Sequence, residues 1–419
     1  MLLFAFLGLL LGARAVDLDK WEIEGADWTH IVVIPDVHGD RFAFIKSLWL
    51  AHKQVSDDAS MDLEQFNATF VDAISSPVVA RLSDRDDVAV VILGDLIDRG
   101  PFSADCLMVA DVITDVLGWE VTRLYGNHET MTVAGLFDSY VHPAEMFFFG
   151  GPAARRAAFA PGGHWFKHIT DRFVGVAKHT PERGRGTLFV HGGIETDWFM
   201  WNLGFNFGAV DEINALMRTA VSTEEEHDRL NAEMTSPVWS RMFAVAADEE
   251  LCGDYIEEVL EIFNVDRIVV GHSPQMDGYM KSRCGGRVIL ADVAMSRWMR
   301  DGVNDRPAAL IFALNDGELM EISANYLNGE LEERVVMFDA DNPVPEQGEE
   351  GEAEDGEEVD EGHGEGANEG GDPVEAASVG ADSVSGPEST SQRKRRADSL
   401  DTDIEEERLV IRLKRPFTP

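Results

Sequence analysis

Positive charge is what this 419-residue sequence has least of: 35 Lys and Arg stand against 77 Asp and Glu, for a formal net charge of −42. That balance argues against nucleic acid as a partner, because binding there is built on cations that neutralise phosphates. Cysteine is scarcer still. Three (Cys106, Cys252, Cys284) in so long a chain exclude a disulfide scaffold; at most one bridge can form, and the expectation is none. Long apolar runs are missing too, since residues 2–11 fall short of the roughly 20 that a membrane span takes. No Lys or Arg precedes that run, yet it leads into Gly12-Ala-Arg-Ala15, where Ala13 and Ala15 have the spacing of a signal peptidase site. Residues 1–15 are therefore expected to be a cleaved secretory signal, with an uncleaved anchor or a misplaced start as alternatives. This predicts a chain of the secretory pathway (ER lumen or secreted), with no membrane span after cleavage. The acidic residues that follow (Asp17, Asp19, Glu22, Glu24) fit a transit peptide badly.

What the sequence does have is core. A hydrophobic content of 44% suits a globular chain. Its organising stretch is Val91-Ile-Leu-Gly-Asp-Leu-Ile-Asp-Arg-Gly100, aliphatic back to Val88 and without alternation, which predicts a fully buried strand. Polar groups at the carboxyl end of such a strand lie where open α/β sheets place their ligands, so Asp95 and Asp98 are candidate functional residues. Ile31-Val-Val-Ile34 reads the same way and is stopped by Pro35, which cannot donate to a ladder. Further strands are expected at 120–124, 187–190, 266–270, 288–290 and 308–314. Helices are expected over 41–53, 103–117, 208–235 and 254–263. Residues 54–87 read as a short helix with loops, containing the sequon Asn67-Ala-Thr69, and 130–186 as helix and loop. The alternation of strand, polar turn and helix predicts an α/β class with a parallel sheet core.

From 339 the composition changes. Residues 341–392 are acidic and Gly-, Ser- and Ala-rich, with no Lys, Arg or aromatic ring, and cannot bury enough apolar surface to offset the entropy of ordering. The predicted organisation is a signal over 1–15, a catalytic domain over 16–338 and an acidic disordered tail over 339–419. The tail carries the basic block Arg393-Lys-Arg-Arg396, readable as a nuclear signal, a convertase site or a counter-charge. A segment at 404–413 can form a short helix on an unidentified partner.

Five strand ends each present a metal-competent group: Asp36 with His38, Asp95, Asn127, His191 and His272. Mixed oxygen and nitrogen donors without thiolate suit Mn, Fe or Zn. Six groups exceed the needs of one ion, and a shared carboxylate is how two ions are held about 3.5–4 Å apart; Asp95 is the natural bridge. Each motif alone is more often a turn or a helix cap than a ligand, with Asn127 for instance a candidate N-cap. Their recurrence at successive strand ends makes the case.

Asp36-x-His38-Gly39, Gly94-Asp-x-x-Asp-Arg-Gly100, Gly126-Asn-His-Glu129, His191-Gly-Gly193 and Gly271-His-Ser273 together resemble the signature of the calcineurin-like metallophosphoesterases, in the phosphoprotein phosphatase branch. The context Leu188-Phe-Val-His-Gly-Gly-Ile194 and the loop Trp239-Ser-Arg241 are most similar to the Shewanella-like, or bacterial-like, protein phosphatases. The resemblance covers roughly 30–315 and implies a β-sandwich flanked by helices with two metals at strand ends. Asp36, His38 and Asp95 would hold the first ion; Asp95, Asn127, His191 and His272 the second. A hydroxide bridging the ions would attack phosphorus in line. His128 would protonate the leaving oxygen, Asp98 would orient that ring and favour its charged form, and Arg99 would grip phosphate oxygens through its fork. Arg241 is the candidate for a second phosphate arginine. Three positions depart from the family pattern. Pro35 stands where glycine is usual, Val293 and Ala294 replace Thr and Gly beside Asp292, and 46–87 is a long insert.

The expected function is therefore a phosphatase acting on phosphoproteins. The rivals are a nucleotide or dinucleoside polyphosphate hydrolase, whose substrate would be a phosphorylated small molecule, and a non-catalytic protein binding through its tail. The other histidines singled out (His30, His142, His164, His168, His179, His227) read as structural, and Trp198 and Trp201 as core or rim aromatics.

Overall fold

Val88–Ile92 is a strand with every residue buried, as an apolar run without alternation requires. The structure, a computed structural model, describes residues 22–24 and 28–340, apart from 57–59, 77–80, 83–84, 137, 182–183, 205–209 and 300–305. The expected signal over 1–15 and the acidic tail from 341 onward, with its basic block and terminal segment, lie outside the described residues. In chain order the strands are β1 (Glu22–Glu24), β2 (His30–Ile34), β3 (Val88–Ile92), β4 (Glu120–Leu124), β5 (Phe173–Val174), β6 (Val176–Thr180) and β7 (Gly186–Val190). They continue as β8 (Val265–Val270), β9 (Lys281–Arg283), β10 (Val288–Leu290), β11 (Ala308–Asn315), β12 (Glu318–Asn328) and β13 (Leu331–Asp339).

These strands form two mixed sheets, one in the order β13-β12-β11-β2-β3-β4-β5 and one in the order β1-β6-β7-β8-β10-β9. A β-sandwich flanked by helices is thus the architecture. Phe189 of β7 meets Phe312 of β11 edge-on with ring centroids 5.9 Å apart, one contact of a continuous core between the sheets. The expected parallel core is half of it. β2, β3, β4 and β5 are parallel, and so are β7, β8 and β10. The crossovers from β2 to β3 and from β3 to β4 come from the helices Arg41–Val55, Leu63–Ser75 and Ser103–Leu117. The first is capped by Asp40, whose Oδ1 accepts the N–H groups of Phe42 and Ala43.

Several expectations need correction. β12 and β13 extend the first sheet antiparallel, beyond the last strand expected. The signal for β12 was Asp316-Gly317, between β11 and β12, whose φ angles of 48° and 74° suit the tight hairpin that a right-twisted pair demands. The segment 130–186 holds strands as well as helices, namely β5 and β6. The single helix expected over 208–235 is broken into Val210–Ser222 and His227–Asn231 by the turn Glu224–Glu226, where three adjacent glutamates gain more from solvent than from a continuous apolar stripe. The helix expected from 254 is regular only over Ile256–Phe263 and is preceded by a wide turn at Leu251–Tyr255. The sequon residue Asn67 lies on the helix Leu63–Ser75. Trp198 is buried, whereas Trp201 is 89% exposed. Among the described residues no helix is long and apolar enough to cross a membrane.

The expectation of no disulfide is also overturned. Cys252, in the wide turn, is bonded to Cys284, in the turn between β9 and β10, across 32 positions of sequence, and Cys106 is buried and free. Counting cysteines gave no means of seeing that the hairpin brings Cys284 against that turn. Closing a loop of this length restricts the unfolded chain, so Cys252→Ser is expected to lower the unfolding free energy by about 2–4 kcal/mol. Reductant should lower the denaturation midpoint of the wild-type protein and leave that of Cys252→Ser where it is; a shift in both speaks against a stabilising bridge.

Two of the structural histidines make stability depend on pH. Burial, then Arg267, depresses His179 to about 4, and burial with Arg172 and Arg123 holds His168 well below its usual value. Both stay neutral in the folded chain and take up protons on unfolding below pH 6.5. Stability is therefore complete above pH 6.5 and is lost as the pH falls towards 4, with His179 accounting for on the order of 3 kcal/mol across that window. His179→Gln should flatten the slope of unfolding free energy against pH between 6.5 and 4; an unchanged slope would contradict the assignment.

Candidate active site

β2, β3 and β4 are neighbours in one sheet, and β7 and β8 are neighbours in the other. The residues just past their carboxyl ends are the expected ones: Asp36 and His38, Asp95, Asn127 and His128, His191, and His272. The loops are stitched together through the backbone. The N–H groups of Val37 and His38 donate to Asp95 O at 3.1 and 2.7 Å, and that of Gly271 donates to His191 O at 2.8 Å. His191 Nδ1 donates to Leu93 O at 2.8 Å, tying the two sheets. Gly94 (φ +99°) passes so close to the next loop that a β-carbon on it would lie 2.6 Å from Gly126 N. Only glycine fits there.

His38, Asp95 and His128 bring one donor atom each to within 4.8 Å of one another, and Asp95, His191 and His272 do the same. Asp95 is common to both groups, and its oxygens divide between them. Oδ2 is 3.6 Å from His38 Nε2, while Oδ1 is 3.5 Å from His191 Nε2. Asn127 Oδ1 lies 3.1 Å from His191 Nε2, and Asp36 Oδ2 accepts the His272 N–H at 3.0 Å. All six expected ligands thus meet at one edge of the sandwich. They also carry a need for a cation. Asp36 Oδ1, His38 Nδ1 and His272 Nε2 are buried with no hydrogen-bond partner among the described residues, an arrangement that costs free energy unless something pairs with them. Burial, and then Asp292 and Asp95 close by, push Asp36 well above the usual carboxylate range. Burial disfavours the Asp95 carboxylate too, but the charges of His191, His128 and His38 outweigh it and hold that group well below its usual value. Burial drives His272 down to about 2. Against its burial, Asp95 and Asp36 raise His191 to about 10. Imidazoles and crowded carboxylates are what divalent metals take as ligands once the imidazole proton is displaced, and the residues fit such ions.

His128 is close enough to His38 and Asp95 to be a ligand itself, but its Nδ1 is engaged by Asp98 Oδ2 at 2.9 Å, with both side chains buried. This is the pairing expected of a proton donor and its orienting carboxylate. Arg99 lies beside them, its guanidinium 5.2 Å from the Tyr140 ring centroid and its Nε without a partner among the described residues. Arg241 reaches the same edge from the other side, donating through Nη1 to His272 O at 2.8 Å and to Ser273 Oγ at 3.3 Å. Five of these residues sit in the left-handed region: His38 (φ 48°), Asp95 (49°), Asp98 (65°), Arg99 (62°) and His272 (61°). Each such position costs roughly 1–3 kcal/mol that the surrounding fold must over-determine.

Four residues at this site had no role assigned from the sequence, although two of them, Glu129 and Asp292, stood in its motifs. Glu129 Oε2 accepts the N–H groups of Asp95 and Gly126 at 2.8 and 2.9 Å, and its Oε1 those of Leu96 and Ile97 at 2.9 and 3.3 Å. Arg155 and Glu145 had no signal at all; they come from short helices in the region read as helix and loop. Arg155 Nη2 donates to Asp98 Oδ1 at 2.5 Å, and its Nε to Glu145 Oε1 at 2.5 Å. Asp292 is buried beside the ligands and is pushed up to about 6 by burial, with its Oδ2 unpartnered among the described residues. Where the family pattern has glycine, Ala294 adopts φ 50°, and its N–H donates to Asp292 Oδ1 at 2.8 Å.

A family model of calcineurin-like phosphoesterases matches residues 29–276. An uncharacterised protein of Schizosaccharomyces pombe is 27% identical over 279 residues, 64% of this chain and 80% of its own. Shewanella-like protein phosphatase 1 of Plasmodium berghei is 23% identical over 317 residues, 71% of this chain and 76% of its own. Among solved structures, a cold-active protein tyrosine phosphatase superposes with a TM-score of 0.53 at 20% identity, covering 74% of this chain and 79% of that one. The corresponding enzyme of a psychrophilic Shewanella species gives 0.51 at 21%, covering 73% and 80%. At those identities the structures speak for the fold.

Proposed function

This chain belongs to the calcineurin-like phosphoesterase family, and on that premise we propose that it is a dinuclear-metal phosphatase hydrolysing phosphomonoesters on protein side chains. The observation that carries the reading is Asp95, shared between two donor groups next to a buried His128–Asp98 pair. Asp36, His38 and Asp95 would hold one ion, and Asp95, Asn127, His191 and His272 the other. When bound, such ions supply an activated water for in-line attack on phosphorus and neutralise the entering and leaving oxygens. His128, with Nδ1–H donated to Asp98, presents Nε2 as the proton donor to the departing oxygen. Arg99 and Arg241 bind the non-bridging oxygens and orient the ester. A phosphoprotein substrate is favoured by the similarity to a Shewanella-like protein phosphatase.

We also propose that the chain works in the secretory pathway. The Cys252–Cys284 bridge supports this, because disulfides persist in oxidising compartments. The test of activity is turnover of a phosphopeptide panel, p-nitrophenyl phosphate and a dinucleoside polyphosphate after loading with Mn, with His128→Ala as the control. Turnover of phosphopeptides above the control supports the reading; turnover of the dinucleotide alone replaces the substrate class, and none at all refutes an enzyme. Secretion of the full chain by expressing cells tests the compartment.

A further inference from the structure

The two oxygens of Asp98 have separate partners. Oδ2 takes His128 Nδ1 at 2.9 Å and Thr132 Oγ1 at 3.2 Å, whereas Oδ1 takes Arg155 Nη2 at 2.5 Å. Arg155 then passes through Nε to Glu145 Oε1 at 2.5 Å. Glu145 Oε2 accepts from Ser103 Oγ and, at 3.3 Å, from Ser103 N. Ser103 Oγ in turn accepts the backbone N–H of Asp98 at 3.0 Å, which closes a ring. Every member is buried: Asp98 2%, Arg155 2%, Glu145 1% and Ser103 0% exposed. The Arg155 guanidinium is also packed 4.7 Å from the Phe159 ring centroid.

Two buried carboxylates neutralised by one guanidinium would not by themselves involve the Asp98 backbone, yet here Glu145 holds Ser103, and Ser103 Oγ takes the Asp98 N–H. This ring grips Asp98 at both ends. The carboxylate plane is fixed through Arg155, and the left-handed backbone (φ 65°) is fixed through Ser103. We infer that Arg155, held by Glu145, is a positioning residue that fixes Asp98 and, through it, aims His128 Nε2 at the leaving oxygen. The inference rests on the proton-donor role proposed above for His128. In the step it serves, the oxygen of the attacking water bonds to phosphorus as the bond from phosphorus to the leaving oxygen breaks, and the Nε2 proton moves to that leaving oxygen. Asp98 and Arg155 keep their charges throughout.

The experiment compares leaving groups in the metal-loaded full chain: p-nitrophenyl phosphate, whose leaving oxygen needs little protonation, against phenyl phosphate and a phosphoserine peptide. Arg155→Ala is expected to lose kcat by about 100-fold or more on the last two, within the roughly 10²–10⁴ that general acid catalysis supplies, and by under about 10-fold on the first. In a His128→Ala background the same substitution should add almost nothing, since the two act as one unit. Arg155→Lys keeps a positive charge but cannot span both carboxylates, and it carries the test if the alanine variant does not fold. It too should steepen the dependence on leaving group. The exposed neighbour variant Arg156→Ala should match the wild type. A loss equal for all leaving groups, a loss that simply adds to that of His128→Ala, or wild-type behaviour of Arg155→Lys overturns the positioning role. Absence of turnover by the wild type with every leaving group would instead remove the phosphatase reading, and this inference with it.

Discussion

Asp95→Asn is expected to leave the protein folded, to take up one metal ion where the proposed site of the wild type would take two, and to turn over phosphomonoesters more than about 100-fold slower. The geometry explains why so small a change costs so much. Asp95 Oδ2 faces His38 and Oδ1 faces His191, so each oxygen serves a different donor group. An asparagine has one carbonyl oxygen and no charge. It can complete one group and presents an amide N–H₂ to the other. Groups that merely support a metal ligand cost about 10–100-fold when removed, and the shared ligand must cost more. Elemental analysis of the loaded protein gives the stoichiometry, and kcat on p-nitrophenyl phosphate gives the rate. Two ions per chain with near wild-type turnover would show that Asp95 is not the bridge.

Glu129→Ala should damage the fold itself. One buried carboxylate accepts four backbone N–H groups, those of Asp95, Leu96, Ile97 and Gly126. Removing it strands four donors where water does not reach, and each stranded donor costs about 1–3 kcal/mol. The expected loss is at least roughly 4 kcal/mol, a large share of the 5–15 kcal/mol by which domains are usually stable. Glu129→Gln keeps one accepting oxygen and should lose about half as much. Denaturant midpoints of the three proteins give the order wild type, Gln, Ala. Equal stability of Ala and wild type would mean that the loops after β3 and β4 are held by something else.

How much of this was legible beforehand follows from the range of each signal. The strands ending at Ile34, Ile92, Val190 and Val270 announced themselves locally, as apolar runs with a metal-competent residue within three positions of their ends. The strand ending at Leu124 has a mixed sequence but leads into Gly126-Asn-His-Glu129 in the same way, and with the five came all six proposed ligands. Asp98 and His128 were legible because they sit in the same short motifs. Arg155 and Glu145 were not, because nothing within a few residues of either points to Asp98, 57 positions from Arg155. The same holds for Cys252 and Cys284, paired only after β9 and β10 have formed their hairpin. β12 and β13 are a different case. The Asp316-Gly317 turn that leads from β11 into β12 was in plain view, but β13 is half-buried or exposed along its length, and its glutamates masked the strand pattern.

The left-handed backbone at His38, Asp95, Asp98, Arg99 and His272 sets heat tolerance against turnover at five places in one chain. Glycine at any of them would relax the backbone, and a screen for thermal resistance alone would favour variants that relax it. All five side chains belong to the chemistry proposed here, so every such gain would remove a working part. Variants selected for turnover after heating should accordingly accumulate changes in the sheets and helices and leave these five positions as they are.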